Sequence, residues 1–385
     1  MPVTLAHRPG ARQRPNYPLS KGIESLPGGY LGGMESDEDR HDRTDHEIEL
    51  LAERLWAWSR EPDGERGPEL GPLAEAGFAV DGGVARYGSG RPCVALLLPS
   101  DRLREFGHNL VTAAVLGAAL ATAATLESGS VVVTDRAGDE IDAVLTFQPG
   151  VHTWAAAPLA ARTELRVTVH GNSGPAPEDS TDAVAGLVQV FTAIAALRAR
   201  LPAGAAVQGI VTHGGESTDV VPDFAEARFG LRAPDSATLG HVVTEVTTAA
   251  EGAAMATGTK ANVERFGPIH ARFQDNPVLS GHFARHLAAC GIHASPSGSA
   301  AIPGRPEVGD LSVRMPTIHP SVALHDPVRA VGSRAFAEAT GSPRARTVLL
   351  ATASALARTA SDLLAHPALV RQAWDNFADR ARRGG

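Results

Sequence analysis

The sequence predicts an α/β fold, and three features of the chain carry that prediction. Residues 92–98 are apolar throughout, as expected of a central parallel strand that is covered on both faces. Residues 130–134 and 143–147 are two further runs typical of buried strands. Residues 207–232 hold two strand-like runs on either side of a turn, which is the pattern of a hairpin.

The hairpin has the clearest local signals. Its first run, residues 208–213, is rich in β-branched residues, and its second, residues 225–232, alternates small or apolar side chains with charged ones. Gly214 and Gly215 between the runs allow positive φ and a tight reversal. Pro222 cannot donate to a strand ladder, so we expect it at a strand start or a sheet edge.

Composition and charge limit the classes of function. The 385 residues are 43% hydrophobic, which is enough for one large core or two smaller ones. The net charge is −8 and aromatic residues make up 5%, without a basic stripe, so we expect no nucleic-acid binding. Cys93 and Cys290 lie far apart and form no metal knuckle, which fits a reduced, cytoplasmic setting. We expect no signal segment, and we expect residues 110–126 to be a buried core helix rather than a membrane span.

The first part of the chain combines a polar tail with short elements. Residues 1–45 are rich in Pro, Gly, Arg and Asp without any period, which predicts a disordered tail. We expect a helix over residues 45–60, with Thr44 as its N-cap and Glu47 completing a capping box. The elements expected next are a short helix and two strands, over residues 70–76, 78–80 and 84–87.

The later part of the chain is organised around the hairpin. We expect a strand through Val169, the hairpin, and helices over residues 180–201 and 236–257. Two further helices and two segments bordering a site loop are then expected, over residues 282–291, 344–364, 308–310 and 316–320.

Residues 209–232, GIVTHGGESTDVVPDFAEARFGLR, resemble the lid-domain hairpin of the M20 metallopeptidase family. The match is to the amidohydrolase branch, which includes p-aminobenzoyl-glutamate hydrolase-like proteins and the peptidase M20 domain-containing protein 2 group. The resemblance covers most of the chain after about residue 46, including residues 95–98, 107–109, 167–171, 316–320 and 332–342.

The resemblance implies a particular architecture and chemistry. It implies a mostly parallel-sheet, metallopeptidase-like domain in residues 46–163 and 268–385, with an inserted α+β lid domain, residues 164–267, that forms a homodimer. It also implies a metal-dependent amidohydrolase or dipeptidase that uses two divalent metals, usually zinc or manganese.

The sequence departs from this family at the positions of its metal ligands. Phe106 stands where the resemblance implies a Cys ligand, Gln148 where it implies a His, and Gly332 where it implies the last His. The Glu–Glu pair that would supply the general base and a ligand is missing after residues 131–133. His108 alone matches a ligand position, so we expect no intact metal site and no metal cofactor.

Several polar residues remain as candidates for a site. Asp101, His108 and Gln148 follow strand ends, where sites form in open α/β sheets. Asp101, His108 and His213 are the catalytic candidates, as acid–base groups. Asp101 capping a loop and His108 satisfied by backbone groups are the structural alternatives. Gln148 and Asp219 are the substrate-binding candidates, although Asp219 replaces an Asn that contacts the substrate carboxylate in the family and would repel that group.

Other polar groups have structural explanations. Asp139, Glu140 and Asp142 are expected to belong to a tight turn. His282 and His286 are spaced i, i+4 and could chelate an ion, but an exposed helix face is the expectation. Two more histidines match family positions that are not ligands: His319 and His325.

Three functions stay open at this point. The first is a degenerate family member without two-metal hydrolysis, acting as a dimeric binding or scaffold protein. The second is an enzyme repurposed for metal-free chemistry in specialised metabolism, and the third is an active metal-dependent amidohydrolase or dipeptidase with relocated ligands. The expected partners are a second copy of the chain and a small-molecule ligand, without nucleic acid or membrane.

Overall fold

The computed structural model describes residues 36–61, 70–173, 179–298, 304–324 and 330–383. Within these ranges the chain forms a sheet domain and a second, smaller unit inserted into it. The helices are α1 (Asp37–Trp58), α2 (Gly71–Glu75), α3 (His108–Ala124), α4 (Ala183–Leu197), α5 (Ser236–Ala256), α6 (Pro277–Ala289), α7 (Pro306–Ser312), α8 (Arg334–Ala339), α9 (Pro343–Ala365) and α10 (Pro367–Arg383). The strands are β1 (Ala79–Asp81), β2 (Val84–Ser89), β3 (Cys93–Leu97), β4 (Gly129–Thr134), β5 (Ala143–Leu145), β6 (Gln148–Gly150), β7 (Ala161–His170), β8 (Ala206–His213), β9 (Phe224–Ala233), β10 (Lys260–Arg265), β11 (Thr317–Ile318) and β12 (Ser321–Ala323).

The larger domain is built on a six-stranded sheet in the order β1-β2-β4-β3-β5-β11. Strands β4, β3, β5 and β11 run parallel, and β2 and β1 add an antiparallel edge. The predicted central strand is β3, which is buried along its whole length. The expectation of an α/β fold with a mostly parallel sheet is therefore confirmed.

Both faces of this sheet are covered, which explains the unbroken apolar run of β3. Val94 and Leu96 belong to the core formed with α1, α3 and α9. Ala95 and Leu97 belong to a separate cluster on the other face, together with Met315. Because side chains alternate between the faces of a strand, both sets of positions must be apolar.

Three helices, α1, α3 and α9, pack together on one face of the sheet. Gly117 permits the contact between α1 and α3, because a Cβ at that position would lie 2.7 Å from the Cδ1 atom of Leu55. The predicted closing helix over residues 344–364 is α9, which is buried over most of its length.

The inserted unit, which we call the lid, is a four-stranded antiparallel sheet in the order β10-β7-β9-β8, packed against α4 and α5. Strands β8 and β9 form the predicted hairpin. Asp182 and Asp235 cap α4 and α5 by accepting backbone N–H groups of the first turn. Phe229 of β9 is fully buried between the sheet and the helices. Strand β10, which pairs with β7, was not predicted.

The first helix starts at Asp37 and not at residue 45, so the sequence prediction is wrong here. Ser36 caps the helix by accepting the N–H of Asp39 at 3.1 Å, and acidic residues in the first turn suit a helix N-terminus. Thr44 is an interior helix residue whose hydroxyl donates to the Arg40 carbonyl at 2.9 Å, so it is not the cap. The rest of the predicted tail, residues 1–35, lies outside the described residues.

Two of the described helices are long and apolar enough to cross a membrane by length and composition alone. One is α9, of which 83% is buried inside the domain, and the other covers Ala183–Arg200. The second packs against the lid sheet through Leu187, Val190 and Ile194. Packing inside the domain accounts for the apolar character of α9, whereas only 33% of Ala183–Arg200 is buried.

Candidate functional site

The candidate site lies at the carboxyl ends of β3 and β5, where polar side chains follow the strands. Asp101 lies in the loop after β3, and a 3-10 turn then leads to Gly107, whose φ is +72°. Helix α3 begins at the next residue, His108. A Cβ at position 107 would lie 2.7 Å from the Pro149 side chain, so glycine lets this turn approach the segment after β5.

Asp101 and His108 form a hydrogen-bonded pair. The Nδ1 atom of His108 lies 2.5 Å from Oδ1 of Asp101, which also accepts the Leu103 N–H at 3.1 Å. Burial disfavours the charged carboxylate, but the hydrogen bonds from His108 and Leu103 outweigh it and hold the pKa of Asp101 below its usual value. Among the described residues, Nδ1 of the imidazole is thus bound by a carboxylate, whereas the structural alternative expected backbone groups. A carboxylate that orients an imidazole is an arrangement suited to acid–base chemistry.

Gln148, a substrate-binding candidate, is fully buried beside this pair. Its Nε2 atom donates to the Phe106 carbonyl at 2.9 Å and to the Pro149 carbonyl at 3.1 Å. Its Oε1 atom has no hydrogen-bond partner among the described residues. The side chain fixes the turn before α3 and leaves one buried acceptor free.

The remaining matched positions, Phe106 and Gly332, adjoin each other. Gly332 has a φ of +88° and donates its N–H to the Glu105 carbonyl at 2.7 Å. A Cβ at Gly332 would lie 3.5 Å from the Phe106 ring, whose centroid is 5.7 Å from that of His108. The fold thus gathers the four positions that the resemblance equates with metal ligands, and it places a phenyl ring, an amide and a glycine beside the one imidazole.

Two buried groups near this edge, His319 and Arg305, were not among the sequence candidates. His319 is fully buried, and neither of its ring nitrogens has a partner among the described residues. Burial, reinforced by the positive charge of Arg305, lowers its pKa to about 3, so the ring is neutral. A Cβ on Gly304 would lie 3.5 Å from the His319 ring and 3.8 Å from Oε1 of Gln148, so the ring and the free amide oxygen both border that residue. The only sequence signal for His319 was its place in a segment expected to border a site loop.

The lid candidates do not join this group in the described structure. His213 ends β8 and contacts the ring of Phe224, with a centroid distance of 5.3 Å. Asp219 lies in the hairpin turn, where its N–H donates to the Ser217 hydroxyl at 3.1 Å. Their hydrogen bonds and ring contacts, among the described residues, stay within the lid. A groove lined by His213, Glu216 and the segment up to Phe224 lies at this end of the hairpin.

The acidic residues after β4 form ion pairs away from the candidate site. Glu140 pairs with Arg86 at 3.4 Å, and buried Asp142 pairs with Arg91 at 2.6 Å. Asp142 also accepts the backbone N–H of the first residue of β3, at the opposite end of that strand from Asp101. Their assignment to a turn, away from the strand ends that carry the site, agrees with these contacts.

A second polar cluster, which we call the helix cluster, lies where α1, α6 and α9 meet. The Nε2 atoms of His41 and His286 each lie 2.7 Å from a different oxygen of Asp362. Nδ1 of His282 lies 3.3 Å from the Asp362 oxygen that faces His286. One ligand atom from each of His41, His286 and Asp362 lies within 4.8 Å of the others, a grouping that could hold a metal ion. The expected exposed helix face is wrong for His286, which is buried.

A mostly parallel sheet covered by helices, with a four-stranded lid inserted into it, is the architecture of the metallopeptidase-like class of α/β folds. No family model matches the chain. It is 26% identical to the Xaa-Arg dipeptidase of Mus musculus over 314 residues, which cover 72% of this chain and 71% of that protein. It is 25% identical to a p-aminobenzoyl-glutamate hydrolase component from Escherichia coli (strain K12), over 57% of this chain and 56% of that protein.

Solved structures share the fold. An aminobenzoyl-glutamate utilization protein from Klebsiella pneumoniae superposes with a TM-score of 0.64 at 16% identity, over 83% of this chain and 98% of the other. A dinuclear metal-binding peptidase of the M20 family from Bacillus subtilis superposes with a TM-score of 0.52 at 16% identity, over 85% and 99% of the two chains. The chain therefore shares its fold with M20-type structures, and its sequence similarity to a dipeptidase and to a p-aminobenzoyl-glutamate hydrolase component agrees with the resemblance to the M20 metallopeptidase and amidohydrolase family.

The expectation that the chain has no metal cofactor is contradicted by these findings. The Bacillus subtilis relative is a dinuclear metal-binding peptidase, and the helix cluster of this chain has a donor set that could hold an ion. The expectation rested on the cleft positions alone. It missed His41 because the sequence prediction placed that residue in a disordered tail, whereas it lies on α1.

Proposed function

We propose that this M20-like protein does not perform two-metal hydrolysis in its cleft and acts as a dimeric binding or scaffold protein. The observation that carries the proposal is that the side chains around His108 lack metal-binding donors. Phe106 and Gly332 offer no donor side chain, and the amide nitrogen of Gln148 is bound to backbone carbonyls. Two hydrolytic ions need several imidazole and carboxylate ligands and an open position for water. The described donors at these matched positions do not fit that requirement.

The edge of the lid sheet supports the dimer in this proposal. Strand β8 pairs with β9 on one side and ends the sheet order on the other. Ile210 and Val211 on β8 are 63% and 57% exposed. An apolar edge strand with unpaired backbone groups is a template for pairing with another strand, and a second copy of β8 would cover it. The free thiols of Cys93 and Cys290 support the cytoplasmic location that we also propose.

Two alternatives have specific support. The Asp101–His108 pair supports an enzyme that uses this imidazole as an acid–base group. The names of the relatives, a dipeptidase and a p-aminobenzoyl-glutamate hydrolase, support an active metal-dependent hydrolase whose ligands have moved.

Hydrolysis assays separate these functions. The full chain would be tested with Xaa-Arg dipeptides, N-acyl amino acids and p-aminobenzoyl-glutamate, with added zinc, manganese or cobalt and with a chelator. Our proposal expects no turnover under any of these conditions. Turnover that is lost on chelation and restored by metal would establish the active hydrolase instead. Turnover that persists with chelator and disappears in His108→Ala, but not in the exposed-residue control His241→Ala, would establish the acid–base enzyme.

The dimer is tested separately by light scattering during size-exclusion chromatography. We expect a dimer for the wild-type chain and a monomer for Ile210→Lys. Val80→Lys places the same charge at a half-exposed position on β1, the edge strand of the other sheet, and serves as the matched control. A monomeric wild-type chain, or a dimer that is insensitive to Ile210→Lys, would contradict the proposed interface.

A further inference from the structure

The helix cluster has the composition and spacing of a metal site. His282 and His286 lie one turn apart on α6, so their rings project from the same face of the helix. Two histidines at this spacing are a recurrent way to hold zinc from one helix. His41 from α1 and Asp362 from α9 add a third imidazole and a carboxylate, which makes four donors of the types that zinc prefers.

The distances between the donor atoms suit one ion. The carboxylate of Asp362 lies 2.7 Å from the Nε2 atoms of His41 and His286 and 3.3 Å from Nδ1 of His282. Zinc bonds of about 2.0–2.1 Å place neighbouring donors of a tetrahedron about 3.3 Å apart. The rings of His41 and His286 meet edge to face with centroids 4.7 Å apart, so their nitrogens approach the carboxylate from different directions. One ligand atom each from His41, His286 and Asp362 already lies within 4.8 Å of the others. A rotation of the His282 side chain would have to bring its ring to the same ion.

The side chains of the helix cluster are largely buried, which distinguishes the cluster from a solvated group of polar residues on the surface. The side chains of Asp362, His286 and His41 are 7%, 11% and 16% exposed, and that of His282 is 25% exposed. A carboxylate that is this buried is expensive to keep charged unless donors or a cation surround it. The partly exposed side of His282 leaves a route for an ion to enter.

The helix cluster is separate from the family cleft. Helix α3 runs from His108 at the cleft to Ala124, and its 17 residues span about 25 Å at about 1.5 Å per residue. Just beyond that far end, the hydroxyl of Thr125 lies 3.4 Å from that of Ser361, the neighbour of Asp362. The cluster therefore lies at the opposite end of the sheet from His108 and cannot supply ions to a reaction there.

We propose that His41, His282, His286 and Asp362 bind a single divalent ion of the zinc type, which fastens α1 to α6 and α9. The ion takes the place of the hydrogen bonds between the imidazoles and the carboxylate. Each imidazole then binds the ion through the lone pair of the ring nitrogen that faces Asp362 in this structure. The role is structural, because the ligands come from three helices and close around the ion. The first helix is the element that depends most on it, since His41 lies in the second turn of α1.

Cobalt titration of the full, chelator-stripped chain tests the proposal. We expect one equivalent of Co²⁺ to bind with the intense visible absorption of a tetrahedral complex, and Zn²⁺ to displace it. Free Zn²⁺ at about a hundred times its Kd should raise the Tm by about 3 °C. His286→Ala and His41→Ala should each weaken Co²⁺ binding by about a hundredfold or more, because even outer-shell changes cost tenfold to a hundredfold. His241→Ala on the lid helix α5, where the side chain is exposed, is the matched control and should bind like the wild type.

A second measurement avoids dependence on variants that could unfold. X-ray absorption of the zinc-loaded wild-type chain should show a four-coordinate ion with three imidazoles and one oxygen ligand. Failure of the wild-type chain to bind Co²⁺ and Zn²⁺ at micromolar concentration would overturn the proposal. Binding that is unchanged in a folded His286→Ala variant, or a zinc shell with sulfur or with fewer than two imidazoles, would overturn it as well. None of these results depends on hydrolysis in the cleft.

Discussion

Arg305 donates a hydrogen bond from Nη2 to the carbonyl of Leu98 at 3.0 Å, just after the end of β3. Its Nη1 atom donates to the Thr146 hydroxyl at 3.1 Å, just after the end of β5. The side chain is 3% exposed and also pairs with Glu307. One guanidinium thus holds together the two strand ends that carry the candidate site, and its planar fork suits several acceptors at once.

Removing this guanidinium should destabilise the chain strongly. We expect Arg305→Met to lower the free energy of unfolding by about 2–4 kcal/mol, because two backbone carbonyls and a hydroxyl lose a buried charged donor. We expect Arg305→Lys to lower the free energy of unfolding by less than Arg305→Met does, because a lysine keeps the charge but not the several N–H donors of the planar guanidinium. Urea denaturation would measure both.

The control for this prediction is Arg334→Met. The Arg334 side chain is 93% exposed and pairs with Glu338 one turn away, so its loss should change stability by less than about 0.5 kcal/mol. Equal losses at positions 305 and 334 would show that the guanidinium of Arg305 does not hold the strand ends.

The Asp101–His108 pair should show measurable energetic coupling. Asp101→Ala, His108→Ala and the double variant form a thermodynamic cycle. We expect a coupling energy of about 1 kcal/mol, because each single variant already removes the short charge-assisted hydrogen bond and the double variant cannot remove it again. Additive effects would contradict a stable pair. The same cycle with Glu49→Ala in place of Asp101→Ala should be additive, since Glu49 is an exposed residue of α1.

Placing a histidine at position 332, where the family resemblance implies one, should destabilise the chain because of the backbone conformation there. Its φ of +88° is rarely adopted by residues with a Cβ, and the Phe106 ring lies 3.5 Å from where that atom would be. We therefore expect Gly332→His and Gly332→Ala each to lower the free energy of unfolding by about 1–2 kcal/mol. Gly341→Ala, where φ lies outside the left-handed region, is the control and should cost less. A stabilised Gly332→His would mean that the turn adopts another conformation in solution.

Much of the fold could be predicted because its signals are local. The apolar run of β3 indicates burial on both faces, and the two strand-like runs around the paired glycines indicate a hairpin; both elements are confirmed. The tight reversal expected at Gly214 and Gly215 is not, because only Gly215 of the two has a positive φ. In addition, β8 ends at His213 and β9 begins only at Phe224, which is too long a connection for a tight turn.

The resemblance supplied the order of elements and the inserted lid. Helix α1 was misplaced at its start because Thr44 resembles an N-cap as well as Ser36 does, and only the interior hydrogen bond to Arg40 distinguishes them.

The candidate site was less predictable because its groups meet only through tertiary packing. The sequence candidates Asp101, His108 and Gln148 do lie together, since each follows a parallel strand and strand ends share an edge. His319 was set aside because nothing in the sequence reports that its ring nitrogens lack partners among the described residues. Of the helix cluster, the sequence indicated only the i, i+4 pair His282 and His286. The other two members could not be predicted, because His41 and Asp362 are separated by 321 positions in the chain and meet only in the fold.

The buried imidazole of His319 should make stability depend on pH. Burial, reinforced by the charge of Arg305, lowers its folded-state pKa from the usual 6.5 to about 3. Between about pH 6.5 and about pH 3, His319 is therefore protonated in the unfolded chain but stays neutral in the folded chain. The contribution of the neutral His319 ring to the free energy of unfolding is present in full above about pH 6.5. It is lost as the pH falls towards about 3, by about 1.4 kcal/mol per pH unit.

Replacing this ring with an apolar side chain should remove that dependence. We expect the free energy of unfolding of the wild-type chain to fall between about pH 7 and about pH 5 by about 2 kcal/mol more than that of His319→Leu. His241→Leu, at an exposed lid position, should follow the wild type. Chelator in every sample keeps metal binding at the helix cluster from adding its own pH dependence. Parallel curves for wild type and His319→Leu would mean that the ring binds a proton as readily in the folded protein as in the unfolded chain, and that His319 is not buried in solution.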